Sequence, residues 1–284
     1  MTSYVAPAEL VEALGILAER RGRVSLLAGG TDLVPRLRQS AGLPDGRDTI
    51  VNLKRIEALR GFSIGADGLA LGALTTVTTL RRDESIATAV PLFSRTADRF
   101  ASEQVRNAAT IGGNVVNASP AGDLQIPLLV HGARARLASA RGARTLAIAD
   151  VLLGPGKTAL AGDEILVGLD VPLLDGYRIS FSKFGLRPAM EIAVVSVGVA
   201  LRLEDGRISD ARIALGAVAP TARRSPAAEA VLTGQRPDRE VLAAAGEAAL
   251  GDVSPIDDVR ASADYRRHLV RVMTRRTLAD ACAG

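Results

Sequence analysis

Cysteine is almost missing from this chain: its 284 residues contain one, Cys282. A single thiol cannot build an internal disulfide framework, and it cannot supply the cysteine sets that hold structural zinc or iron–sulfur clusters. Histidine is nearly as scarce. His131 and His268 lie far apart and have no ligand-spaced neighbours, so neither a metal site nor a catalytic histidine is expected. Aromatics make up 3% and none interleaves with a basic stretch, a pattern that argues against nucleic-acid binding. Charge of one sign is lacking as well: Lys+Arg 35 against Asp+Glu 31 leaves +4, scattered along the chain. The longest apolar run, Ile192 to Leu201, is about half of what a membrane span needs. MTSYVAPAEL carries no basic segment followed by an apolar one, so a cytoplasmic protein without a membrane span is the expectation.

What is present is apolar mass. At 48% hydrophobic residues the chain can bury a sizeable core, as one large domain or two to three smaller ones. Leu10, Val11, Leu14 and Leu17 recur at helical spacing, predicting a helix over Pro7–Arg20. Val24–Leu27 reads as a strand running into AGGTD, Ala28–Asp32, with a helical turn beyond it that leaves Arg36 and Arg38 outside. Strands at Thr49–Leu53 and a hairpin around Ala66-Asp67-Gly68 follow, then helices at Val77–Arg82 and Ala89–Ala101. After the small-residue stretch TIGGNVVNASPAGD, Thr110–Asp123, a helix covers Leu124–Val130 with Asp123 placed to cap it. A β pattern spans Ala133–Ile148, Gly154-Pro155-Gly156 marks a loop, and Glu164–Val171 is a strand.

Near Leu173–Gly176 the pattern changes, a candidate domain boundary. Tyr177–Phe184, Glu191–Leu203 and Ile208–Val218 then read as a meander, with a turn at Glu204-Asp205-Gly206. Helices at Pro226–Leu232, Arg239–Leu250 and Ala261–Ala281 close the chain. An antiparallel sheet with helices on one side is an α+β arrangement.

Two stretches carry chemistry. Strand, Gly-Gly, then helix at residues 24–39 is an anion-binding arrangement, because free N–H groups and the helix dipole point at the loop. It is neither GxGxxG nor a P-loop. Thr110–Asp123 repeats the theme, since backbone without bulky side chains can approach a phosphate or a flat ring. Asn114 and Asn117 can donate and accept, Ser119 can bond a hydroxyl, and Asp123 can accept from sugar hydroxyls. Taken singly, each stretch also reads as a plain tight turn, and Lys157 as a solvated loop lysine.

Read together, LLAGGTDLVPRLRQ at 26–39, TIGGNVVNASPAGD at 110–123, GPGKTAL at 154–160, FSKFGLRPAMEIAVVSVGVAL at 181–201 and SPIDDVRASADYRRHLVRVMTRRTL at 254–278 resemble one family. It is the FAD-binding medium subunit of the molybdenum hydroxylases, the xanthine dehydrogenase and carbon monoxide dehydrogenase group, and the resemblance covers essentially the whole chain. It implies an FAD-binding domain over residues 1–175, built of two α/β subdomains (about 1–55 and 56–175, PCMH-like). A C-terminal antiparallel sheet packed with helices would occupy residues 176–284.

By the same resemblance Leu27, Ala28, Gly29, Gly30, Thr31 and Asp32, with Thr110, Ile111, Gly112, Gly113 and Asn114, would wrap the pyrophosphate of FAD with backbone amides. Thr31 and Thr110 would add hydroxyls. Ser119 and Asp123 match positions near the ribityl and phosphate part, Ile165 and Leu166 an apolar position beside the cofactor. Lys183 matches a cation that meets a flavin-ring oxygen, and Ile192, beside Glu191, lies near the position covering one flavin face. No residue of the chain is expected to be catalytic in its own right. Molybdopterin would sit in a large partner subunit and two 2Fe–2S clusters in a small one, with electrons leaving through FAD to NAD+ or another acceptor. The single cysteine agrees with that division, and the cysteine-rich insertion of the 4-hydroxybenzoyl-CoA reductase flavin subunit is missing. Thr31, where the carbon monoxide enzymes carry His-Ser after Gly-Gly, favours the xanthine dehydrogenase-like branch. Two other readings compete. A scaffold subunit without flavin is opposed by the complete Gly-Gly stretches and Asp123. A stand-alone flavin oxidoreductase is opposed by the lack of an acid–base pair.

Overall fold

The computed structural model of the protein describes residues 3–39, 43, 46–187 and 190–283. Its first unit alternates β1 (Ser3–Val5), α1 (Leu10–Glu19), β2 (Val24–Leu27), α2 (Leu33–Gln39) and β3 (Thr49–Asn52). The strands lie in the order β1-β3-β2 and all run parallel, which requires the crossovers that the helices provide. α1 starts at Leu10, three residues after Pro7, with Glu9 extended as its N-cap. It buries Ala13 and Leu17 in one cluster with Val51, Leu53 and Ile56.

The second unit opens with the expected hairpin, β4 (Phe62–Gly65) and β5 (Gly68–Gly72). Six helices follow: α3 (Val77–Arg82), α4 (Glu84–Ala89), α5 (Pro91–Asp98), α6 (Glu103–Ala108), α7 (Ile111–Asn117) and α8 (Gln125–His131). Then come β6 (Arg134–Ser139), β7 (Gly142–Ala147), α9 (Ile148–Val151), β8 (Leu152–Gly154), β9 (Lys157–Thr158) and β10 (Ile165–Val171). The main sheet runs β4-β5-β10-β6-β7, antiparallel throughout.

Local chemistry explains where this unit departs from the expected elements. The predicted helix at 89–101 is interrupted at Val90 (φ −138°), because a proline at the next position disfavours helical backbone before it. Gly154-Pro155-Gly156 turns a short hairpin, β8–β9, where a loop was expected. Gly112 and Gly113 lie in the first turn of α7, whose N-cap Thr110 accepts the Gly113 amide. Asp123 does not cap α8; Leu124 holds that position without a side-chain bond.

The third unit is the meander β11 (Tyr177–Phe184), β12 (Val195–Glu204), β13 (Arg207–Gly216) and β14 (Arg223–Arg224), followed by α10 (Pro226–Leu232), α11 (Arg239–Ala248) and α12 (Ala263–Ala283). Both faces of this sheet are covered, so β12 is buried from Val195 to Leu201, as expected of a strand without a solvent face. The alternation still divides the faces. Val195, Val197, Val199 and Leu201 pack with Ile213 and Leu215 under α10–α12. Gly198, Ala200, Ala214 and Gly216 face α8, every residue of which is buried. β12 starts at Val195, four residues later than expected, and residues 188 and 189 of the 181–201 motif lie outside the described residues.

The glycines set how closely α8 sits on the sheet. A Cβ on Gly198 would stand 2.5 Å from Ile126 Cγ2, and one on Gly216 would overlap Ser196 Oγ. Gly198→Ala is expected to destabilise the fold by about 1–3 kcal/mol through overpacking, read as a lowered thermal midpoint. An unchanged midpoint would mean that Ile126 yields without cost.

Candidate functional site

After β2 the chain turns through Ala28–Asp32, with Gly30 at φ +78°, a conformation open to glycine and costly for other residues. Gly29 has a different reason to lack a side chain. A Cβ there would overlap the Ala108 carbonyl and stand 3.0 Å from Ala109 Cα. The turn therefore rests directly on the backbone that joins α6 to α7. Gly112 works the same way on the other side: its Cβ would meet Ala73 O at 2.7 Å and Ala73 Cβ at 2.8 Å. These contacts bring the two glycine stretches together as opposite walls of a cleft of about 520 Å³. Ala73, Leu74, Ile165 and Leu166 also line it, with Phe100, Val105 and Leu160.

The walls offer different groups. No backbone carbonyl among the described residues accepts from the amides of Gly29, Gly30, Thr31 or Asp32, all four of which line the cleft. Gly29 and Gly30 are half-buried and Thr31 and Asp32 exposed, so these donors are open to whatever fills the concavity, and a row of open donors there suits an anion. The second wall has committed its amides from Ile111 to Asn114, leaving, among the described residues, only that of Thr110 open: Ile111 to Thr75 O (3.0 Å), Gly112 to Ala73 O (2.9 Å), Asn114 to Thr110 O (3.0 Å) and Gly113 to Thr110 Oγ1 (3.1 Å). This corrects the expectation that both stretches present backbone amides to a phosphate. The second wall contributes side chains instead. Thr110 accepts the Gly113 amide and keeps its own hydroxyl hydrogen to donate. Asn114 Oδ1 is buried without a partner among the described residues.

A second group of polar residues lies outside the lining of this cleft. Lys183 on β11 has a fully buried side chain. Its ammonium donates to Asp123 Oδ2 at 2.7 Å and to the carbonyls of Arg99 and Glu191, each at 3.1 Å. Burial pushes the Asp123 carboxyl up to about 6; Lys183 opposes the rise and Glu191 adds to it. Asp123 Oδ1 has no partner among the described residues. The backbone around this ion pair is strained: Ala101 (φ 38°), Ala118 (φ 45°), Met190 (φ 53°) and Ala217 (φ 64°) are left-handed without being glycine. Ala217 N donates to Pro120 O. Such residues cost about 1–3 kcal/mol each and cluster where the surroundings over-determine the backbone.

Of the residues singled out in the sequence, Ala28, Gly29, Gly30, Thr31, Asp32, Thr110, Gly112, Gly113, Asn114, Ile165 and Leu166 line the cleft. Leu27, Ile111, Ser119, Asp123 and Lys183 are not in its lining; Ile111 points into the core, and Ser119 Oγ accepts from Ala121 N. Phe100, Val105 and Leu160 are ordinary apolar residues that carry no signal in the sequence, Arg36 reads there as an outward-facing arginine, and Arg47 is not singled out. Another depression, lined by Arg141, Arg144 and Glu164, has its charges already paired, Arg141 with Asp163 and Arg144 with Glu164. Among the described residues no three metal-ligating side chains converge, and no helix is long and apolar enough to cross a membrane.

A concavity with an amide-lined turn, a hydroxyl and apolar walls is a site for an anionic, partly flat ligand. The comparisons with known proteins specify it further. Residues 1–174 match the FAD binding domain in molybdopterin dehydrogenase, and residues 180–281 match the CO dehydrogenase flavoprotein C-terminal domain. The chain therefore belongs to the FAD-binding flavoprotein family of the molybdopterin dehydrogenases. It is 34% identical to the xanthine dehydrogenase FAD-binding subunit of Escherichia coli O157:H7, over 99% of this chain and 96% of the relative. It is 31% identical to the glyceraldehyde dehydrogenase medium chain of Sulfolobus acidocaldarius, over 98% and 97%. Among solved structures, carbon monoxide dehydrogenase from Hydrogenophaga pseudoflava superposes with a TM-score of 0.95 at 32% identity, covering 99% of this chain and 97% of that one. The α+β class and the resemblance read from the motifs agree with these matches.

The buried pair yields a pH prediction. Because its folded pKa is raised to about 6, Asp123 holds its proton in the folded protein across a range where the unfolded chain has lost it. Its contribution to stability therefore falls as pH rises from about 4 to about 6. Carbon-detected titration of the Asp123 carboxyl is expected to give a midpoint near 6, and a higher one in Lys183→Met. A midpoint near 4 would mean that hydrogen bonding outweighs burial.

Proposed function

We propose that this chain is the electron-transfer flavoprotein subunit of a heterotrimeric molybdenum hydroxylase. Electrons would arrive from the 2Fe–2S clusters of a small partner subunit, fed by a molybdopterin-binding large subunit. They would leave through FAD to NAD+ or another acceptor. The observation that carries this reading is the row of uncommitted amides at Gly29–Asp32, held by Gly29 against the second glycine wall in a chain that spans nearly the whole of its flavoprotein relatives.

The residues present fit the cofactor. In this reading the Gly29–Asp32 amides take the diphosphate, with the Thr31 and Thr110 hydroxyls as further donors. Asn114 Oδ1, buried without a partner among the described residues, accepts a hydrogen bond from the ligand. Ile165 and Leu166 supply an apolar contact that excludes water. FAD supplies the redox chemistry, so the chain needs no acid or base of its own. Asp123 and Lys183 place a buried charge pair that ties β11 to the segment following α7. The single cysteine leaves the iron–sulfur clusters to another polypeptide.

Adding FAD to the deflavinated chain is expected to restore a flavin spectrum at one equivalent. Gly29→Val is expected to lose it, because the new side chain must push the turn off Ala108–Ala109. Tight FAD binding by that variant would show that the walls are not joined through Gly29. Purification of the chain expressed with its genomic neighbours is expected to bring molybdenum- and iron-containing subunits with it; recovery alone, with turnover of a small substrate, would favour a stand-alone flavin oxidoreductase.

A further inference from the structure

Resting on the FAD reading, we propose that Arg36 is a cofactor-binding residue whose guanidinium, held across the cleft by Asp32 and Asn117, serves as the counter-charge to the diphosphate. The charged residues in the lining of the cleft, among the described residues, are Asp32, Arg36 and Arg47. Asp32 ends the same turn whose amides are open, and its half-exposed carboxylate repels an anion placed there. Arg36 Nε lies 2.9 Å from Asp32 Oδ2 and offsets that charge. A pair at i,i+4 on a short helix would ordinarily be a solvated surface feature of little consequence.

The Asn117 contact makes it more than that. Arg36 also donates from Nη2 to Asn117 Oδ1 at 3.1 Å, on the last residue of α7. One guanidinium thus touches the end of the first glycine turn and the end of the helix that carries the second. It stands between the walls without blocking them, since its side chain keeps 58% of its exposure. Backbone amides supply only partial charges, whereas a diphosphate brings about two full ones at neutral pH. With Asp32 uncompensated the turn would present a negative charge to that group. Arg36 cancels that charge and leaves the open amides to face the diphosphate, so the cleft selects a flavin that carries a diphosphate over one that does not.

The test is titration of FAD and of riboflavin into the deflavinated full chain, followed by flavin fluorescence, with thermal midpoints as a control for folding. Arg36→Gln is expected to weaken FAD about tenfold and leave riboflavin unchanged. Adding Asp32→Asn to that variant is expected to recover most of the loss, because the charge that Arg36 offsets is then gone. Arg36→Lys, which keeps the charge, is expected to hold FAD within about threefold of wild type with the same salt dependence. Unchanged FAD affinity in Arg36→Gln, or an equal loss for both flavins without recovery in the double variant, would overturn the proposal. Should Arg36→Gln fail to fold, the lysine variant decides: a tenfold loss with an intact fold overturns the role of charge. A wild-type chain that takes up no FAD would overturn the cofactor reading and this one with it.

Discussion

The site depends on a contact between two pieces of backbone. Gly29 rests on the Ala108 carbonyl so closely that no side chain fits between them. That contact has no strength of its own beyond dispersion and the exclusion of water. Its effect is positional: it fixes a turn from a small parallel sheet against the backbone that joins α6 to α7 in a different, antiparallel unit. Without it the open amides of one and the hydroxyl of the other would belong to separate surfaces. Gly112 against Ala73 repeats the device one layer down, seating α7 on the end of β5. Packing therefore comes first here, and anion binding follows from what the packing leaves uncovered.

The two walls differ in cost and in use. A helix that begins at a cap satisfies its early amides by side chain and backbone, and α7 does so completely over Ile111–Asn114. The Gly29–Asp32 turn does not, and its unmet donors are tolerable because they face a cavity rather than the core. The asymmetry also explains why charge matters at α2: the wall that offers open dipoles is the one that bears Asp32.

Much of the fold could be read from the residues, and the misreadings are physical. The stretch VSVGVAL reads as a strand of a meander, and only the structure shows that its large face packs under α10–α12 and its small face receives α8. Gly112-Gly113 followed by Asn, two valines and Asn has poor helix propensity, so the stretch reads as a loop. The Thr110 cap and the seat on Ala73 make it a helix, which is a tertiary effect invisible to propensity. Asp123 before a helical run reads as an N-cap, yet its partner is 60 residues away on a strand. The cleft was half legible: its glycines and Thr110 stand out by composition, while Phe100, Val105 and Leu160 differ in nothing from core residues.

Lys183 shows how geometry narrows a role that sequence only suggests. The resemblance of the 181–201 motif implies a cation that would meet a flavin-ring oxygen. In the structure the ammonium has three acceptors, Asp123 and two carbonyls, and an ammonium has three hydrogens to give. It could donate to a ligand only by releasing one of them. The carbonyls of Arg99 and Glu191 leave smaller deficits when unpaired than a buried carboxylate does, so Asp123 would be the last to go. Both carbonyls lie near left-handed residues, Arg99 before Ala101 and Glu191 after Met190. The pair with Asp123 would persist either way, keeping β11 fixed beside the segment that leaves α7 while the charge acts on its surroundings through space.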